Sequence, residues 1–166
     1  MRLARLDDLQ ACRLIEDDAA GIFVAIGMSQ IDDDPPSDLD TVREAQSDAR
    51  LWIAADGNDV PVAFVYARPV EDHLHIQELD VLRSHQRQGI GGRLIEAVCR
   101  AAADRGFAGV TLSTFAEVPW NAPYYERLGF QRVDHDALTP GLREIEADEA
   151  AFGLDVCRRV FMRREV

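Results

Sequence analysis

The chain has 166 residues, 47% hydrophobic and 29% charged, the profile of a soluble globular protein with one sizeable core. Its 30 acids against 18 bases give a net charge of -12 and a pI near 4.6, which excludes general binding to nucleic acid or anionic membrane. With a charged N-terminus and no apolar run near ~20 residues, neither a secretory leader nor a membrane helix is expected.

In chain order, Arg2–Leu6 reads as a short edge strand, and Asp7 or Asp8 as the cap of a helix running towards Ala20, with Leu9, Cys12, Ile15 and Ala19 at helical spacing. "GIFVAIGM" continues apolar, either as a second helical piece or as core. "DDDPPSD", Asp32 to Asp38, is a turn-rich break, after which Ser37 or Asp38 caps a helix to about Gln46. The period then changes to two. Strands are expected at Leu51–Ala55, Val60–Pro69 and Leu74–Leu82, with separators short enough for hairpins.

The last of these strands runs into "HQRQGIGGRL", His85 to Leu94. A helix follows, with Ile90, Leu94, Ile95, Val98 and Ala102 on one face and Gly106 as its stop. "GVTLSTF" is a strand, and "PWNAPYYERLGF" a loop with a short helix from about Ala122 to a stop at Gly129. A further helix in "TPGLREIEADEAAFG" and a final strand in "CRRVFMRRE" complete the chain. A strand–helix–strand passage requires parallel neighbours and the central meander antiparallel ones. The expected fold is therefore α/β: one domain over residues 1–166, with a mixed, mostly antiparallel sheet flanked by helices on both faces. Cys12, Cys99 and Cys157 have no metal-type spacing and read as buried, reduced thiols of a cytoplasmic protein; no metal site is expected.

Between Arg83 and Arg93 stand three arginines, one histidine and no acid, a local exception in so acidic a chain. Unpaired amides and the dipole at a helix N-terminus attract anions, and glycines let that backbone approach a phosphate. A solvated glycine-rich turn would look the same in isolation. A dinucleotide fingerprint starting at Gly89 would need glycine where Leu94 stands, and a Walker loop needs a G-K-[ST] triplet that does not occur.

Gln86-Arg87-Gln88-Gly89-Ile90-Gly91 fits the pattern Q/R-x-x-G-x-G/A. Together with the preceding Leu79-Asp80-Val81 and the later "NAPYYERLGF", it resembles the GNAT acyltransferase superfamily from about Leu51 to Phe130, and less so at the N-terminus. The resemblance implies acetyl-CoA as co-substrate. Its pyrophosphate would lie on Arg87, Gln88, Gly89, Ile90, Gly91 and Gly92, and its pantetheine on the main chain of Leu79, Asp80 and Val81. It further implies an amide near Leu79 that polarises the acetyl carbonyl, and Tyr125 as general acid to the leaving thiolate.

Where that family commonly has asparagine seven residues before this tyrosine, the chain has Val118. Asn121, four before, could contact pantetheine or merely cap the next helix. Alternation puts Glu78 and Asp80 on one strand face, making Glu78 the candidate base for the acceptor amine, with Glu117 the runner-up. His73 and His75 face the other way and read as packing or surface residues. Trp120 fits a lid over the cofactor or core filler.

The implied activity is N-acetyl transfer from acetyl-CoA to a primary amine of a small molecule or peptide, and a homodimer stays open. A non-catalytic CoA-binding regulatory module is the alternative, and an unrelated phosphate-ester binder a third.

Overall fold

The structure, a computed structural model, describes residues 1–24, 37–151 and 158–166. Of the apolar stretch Gly21–Met28, Gly21–Val24 continue the first helix; the rest of it, most of the acidic turn before Ser37, and Cys157 lie outside the described residues. Two compact units divide the chain: residues 1–68 with 77–98, and residues 69–76 with 99–166.

In the first unit the period-two runs become strands. β1 (Arg2–Leu3) pairs antiparallel with β2 (Leu51–Ala55), and β2 pairs antiparallel with β3 (Pro61–Val70), with an irregularity at Ala54/Ala55. The Glu71–Asp72 turn joins β3 to β4 (His73–Val81). The helical periods become α1 (Leu9–Val24) and α2 (Leu39–Ser47). Leu9, Cys12 and Ile15 of α1 and Val42 and Ala45 of α2 pack with Leu51, Ile53, Phe64 and Tyr66 as one apolar cluster.

Asp38 caps α2 by accepting from the Thr41 amide, as expected of it. Asp8 does not cap α1. It closes a 3-10 turn at Leu6–Asp8, where its carboxylate accepts from the Arg5 amide at 2.7 Å and pairs with Arg2 at 2.6 Å.

In the second unit the first half of β4 pairs parallel with β5 (Gly109–Phe115), in register from His73–Gly109 to Ile76–Leu112. β7 (Arg159–Glu165) pairs antiparallel with β5 along its whole length, and β6 (Gln131–Arg132) pairs with β7. A Cβ on Gly109 would meet the Arg164 carbonyl at 2.5 Å, so only glycine permits this start to the β5–β7 pair. The buried His75 ring shares a hydrogen bond with Thr111 Oγ1 at 3.0 Å, which makes it a packing residue. Leu138, and Leu142 and Ile145 of α5 (Pro140–Ala151), cluster with Phe161.

The strand order is β1-β2-β3-β4-β5-β7-β6; β4 and β5 run parallel, while β1–β2, β2–β3, β5–β7 and β6–β7 are antiparallel. The expected mixed, mostly antiparallel α/β sheet is what forms. The insertion of β7 between β5 and β6 was not expected. No described helix is long and apolar enough to cross a membrane.

Candidate functional site

The first unit carries a strand–loop–helix passage. The parallel register of β4 ends at Ile76, and the strand continues to Val81. A chain of ligand amides can add to such a strand end through main-chain hydrogen bonds. A 3-10 turn over Arg83–His85 follows, then the loop, then α3 (Ile90–Asp104).

Two residues of the loop adopt left-handed backbone, Arg87 at φ 60 and Gly89 at φ 72. A non-glycine residue there is uncommon and reflects a backbone held in a fixed path. Arg87, Gln88 and Gly89 are exposed, Ile90 and Gly91 are buried, and Gly92 is half-buried. The Arg93 guanidinium donates to the Gln88 carbonyl at 3.1 Å, and the Gln86 side chain donates to the Val81 carbonyl at 3.2 Å. That carbonyl, one of the groups expected to meet pantetheine, therefore already has a partner within the chain. The first amides of α3 have no intrahelical acceptor, and the helix dipole makes its start an electropositive spot. A glycine-flanked path with no acid in it fits the pyrophosphate of acetyl-CoA.

The same unit gathers three acids, Glu16, Glu78 and Asp80. Glu78 and Asp80 share a face of β4, as alternation requires, and both are half-buried. Burial pushes the Asp80 carboxyl well above the usual range, and the Glu78 and Glu16 carboxylates push it further. Burial also raises Glu16, against the hydrogen bonds from Ser37 that lower it. Glu16 Oε1 accepts from both the Ser37 amide and its hydroxyl at 2.8 Å, and the Tyr66 hydroxyl donates to Ser37 Oγ at 3.1 Å. Tyr66 is held up by burial and by the same carboxylates, Glu78 first.

Glu16, Tyr66 and the side chain of Asp80 were missed as members of this group. The available signal was weak: Glu16 stands one helical turn after the buried Cys12, beside Ile15, at the edge of the apolar stripe of α1.

A stability test follows from the raised carboxyl. The folded chain holds a proton on Asp80 that the unfolded chain has released, so stability falls as pH rises from the ordinary carboxylate value towards the raised one. Asp80→Asn removes that loss. Its Tm should exceed that of wild type at pH 8 by roughly 3 °C more than at pH 4. Equal differences at the two pH values would place the Asp80 carboxyl in ordinary solvent.

The second unit carries the later motif. α4 (Ala122–Arg127) begins after Asn121, which stands at the cap position but whose side chain makes no capping bond. The Asn121 side chain instead donates through Nδ2 to Thr114 Oγ1 at 2.7 Å. Of the two roles considered for Asn121, capping is therefore not the one its side chain performs.

Tyr125 packs edge-on against Tyr124, with ring centroids 5.5 Å apart, and against Phe130 at 5.8 Å. Phe130 is buried while Tyr125 is half-buried, so a core ring helps to orient Tyr125. Glu117 is exposed just past the end of β5. Trp120, at 37% exposure, is not core filler. Among the described residues no group of three or more His, Cys, Asp or Glu side chains could hold a metal ion.

Comparison with known proteins adds to this geometry. The sequence model of the acetyltransferase (GNAT) family matches residues 12–130. N-acetyltransferase 8F1 of Rattus norvegicus is 34% identical over 95 residues, 54% of this chain and 42% of that protein. The chain thus spans about two fifths of the length of the curated relatives it matches. Among solved structures, Rv2747 from Mycobacterium tuberculosis in complex with CoA and NLQ superposes with a TM-score of 0.74 at 18% identity, covering 99% of this chain and 98% of that one. A ribosomal-protein-alanine N-acetyltransferase from Brucella melitensis gives a TM-score of 0.68 at 17% identity, covering 99% and 98%.

Proposed function

The chain belongs to the acetyltransferase (GNAT) family, and from that premise we propose that it transfers an acetyl group from acetyl-CoA to a primary amine, as one catalytic domain. The observation that carries this reading is the passage from the end of β4, past its parallel register with β5, through the left-handed turns at Arg87 and Gly89, into the N-terminus of α3. The CoA in complex with the structurally similar Mycobacterium tuberculosis protein supports the same cofactor.

Bound acetyl-CoA supplies an activated thioester. Leu79, Asp80 and Val81 hold its pantetheine through main-chain groups, with the Val81 carbonyl the weakest participant because Gln86 occupies it. The amides of Gln88–Gly92, with Arg87 beside them, hold the pyrophosphate. An amide near Leu79 polarises the acetyl carbonyl.

A free amine is mostly protonated at neutral pH, so it must lose a proton before it attacks. Glu78 takes that proton, directly or through water, from the β4 face that it shares with Asp80. Tyr125 returns a proton to the departing sulfur. The buried thiols of Cys12 and Cys99 support a cytoplasmic setting.

Thiol release from acetyl-CoA, screened over a library of amines, tests the activity. CoA binding without release above hydrolysis on any amine would favour a regulatory CoA-binding module instead. With an acceptor in hand, Glu78→Gln should lower kcat about tenfold, less than is usual for a lone base because Asp80 shares its face. The loss should be largest for high-pKa amines, with acetyl-CoA affinity unchanged. A larger loss in Glu117→Gln would move the base to that residue, and no loss in either would leave solvent as the base.

A further inference from the structure

The loop lies between two anchors, and only the later one belongs to it by sequence. α3 and the Arg93–Gln88 bond fix its end. Its start is fixed from α1. Asp18 accepts from the Arg83 backbone amide through Oδ2 at 2.7 Å and from Arg83 Nε through Oδ1 at 3.1 Å. Both carboxylate oxygens are engaged, and one of them grips main chain. This backbone bond is the first cause holding the Asp18 carboxyl below its ordinary range, ahead of the guanidinium.

One turn further along α1, a Cβ on Gly21 would meet Arg83 Nη1 at 3.3 Å, so the guanidinium lies close against the helix at a position without a side chain. Arg83 is therefore held against α1 and paired, unlike a cation waiting for a phosphate.

We propose that Asp18 and Arg83 are positioning residues for acetyl-CoA: their clamp pins the first residue of the loop to α1 and so presents the loop amides to the pyrophosphate. This rests on reading Gln86–Gly92 as the pyrophosphate site. An exposed ion pair contributes little to overall stability, but a loop already held in its bound path gives up less conformational freedom when the ligand arrives. The left-handed Arg87, four residues after the clamp, is a conformation that an untethered chain would leave.

Charge makes the test sharp. A carboxylate near the mouth of the loop repels a phosphate, so deleting it should tighten CoA binding if Asp18 acted only through its charge. If it acts through position, deletion should weaken binding. Calorimetric titration with CoA should show affinity about tenfold weaker in Asp18→Ala, which removes both bonds, and a smaller loss in Arg83→Ala, which keeps the backbone amide that Asp18 grips. The double variant should lose no more than Asp18→Ala alone, because without the Asp18 carboxylate neither Arg83 bond remains to be removed.

Asp18→Asn, which keeps an oxygen for the Arg83 amide, should recover part of the loss and carries the test should the alanine variant fray α1. KM for acetyl-CoA should rise with kcat unchanged at saturation. Unchanged or tighter CoA binding in Asp18→Ala, or single losses that add, would overturn the clamp. Gly91→Val separates the two claims. If it binds CoA normally, the loop reading falls and the clamp with it. If it binds weakly while Asp18→Ala binds normally, only the clamp falls.

Discussion

Gly91→Val is expected to weaken CoA binding by at least about 10²-fold while the chain still folds. Gly91 lies in the first turn of α3, where the backbone amides have no intrahelical acceptor and are the natural partners of a pyrophosphate. A branched side chain there holds the phosphate oxygens away from that backbone. Losing two charge-assisted hydrogen bonds, at about 1.5–3 kcal/mol each, accounts for the size of the effect. Gly91 is buried, so some loss of Tm should accompany the change, and Gly91→Ala should fall between wild type and valine in both respects. Calorimetry on folded protein decides it. Wild-type affinity in Gly91→Val would remove the loop from the cofactor site.

The parts of this site that could be read from sequence are those built from neighbours along the chain. Period-two alternation located β2, β3 and β4 to within a residue or so at most ends, and it put Glu78 and Asp80 on one face. The glycine spacing after β4 marked the loop and the start of α3, because close backbone approach leaves a local signature.

What could not be read depends on packing. Asp18 and Arg83 are 65 residues apart, and nothing at either position announces the other. Glu16, Ser37 and Tyr66 come from α1, the approach to α2 and β3, so their hydrogen-bonded chain exists only once those elements share a core. The two-residue β6 is too short to carry a period, and the placing of β7 beside β5 follows from tertiary pairing that no local pattern encodes. Asn121 stands where a cap is expected and yet uses its side chain on Thr114, because a buried hydroxyl on β5 is within reach. Position along the chain names the candidate, but its neighbours in space decide what it does.

Tyr125→Phe is expected to fold normally, bind acetyl-CoA about as well as wild type, and lose turnover by roughly 10²-fold or more, the lower part of the range for a positioned general acid. The substitution removes one oxygen and keeps the ring. The edge-on contacts to Tyr124 and Phe130 are made by the ring, so the packing that orients residue 125 survives. The backbone at this position also stays committed: the Phe130 and Leu128 amides donate to the Tyr125 carbonyl at 3.1 and 2.9 Å, which neither side chain alters. Lost rate therefore reports chemistry at the hydroxyl. A thiolate that leaves without a proton donor is a poorer leaving group, and the loss should shrink for acceptors whose attack, rather than thiolate departure, limits the rate. The high-pH decline of the wild-type rate should weaken in the variant, since a phenol that must be protonated no longer contributes to that limb. Wild-type turnover in Tyr125→Phe, measured where chemistry limits the rate, would make Tyr125 a packing residue and leave the sulfur to be protonated by solvent.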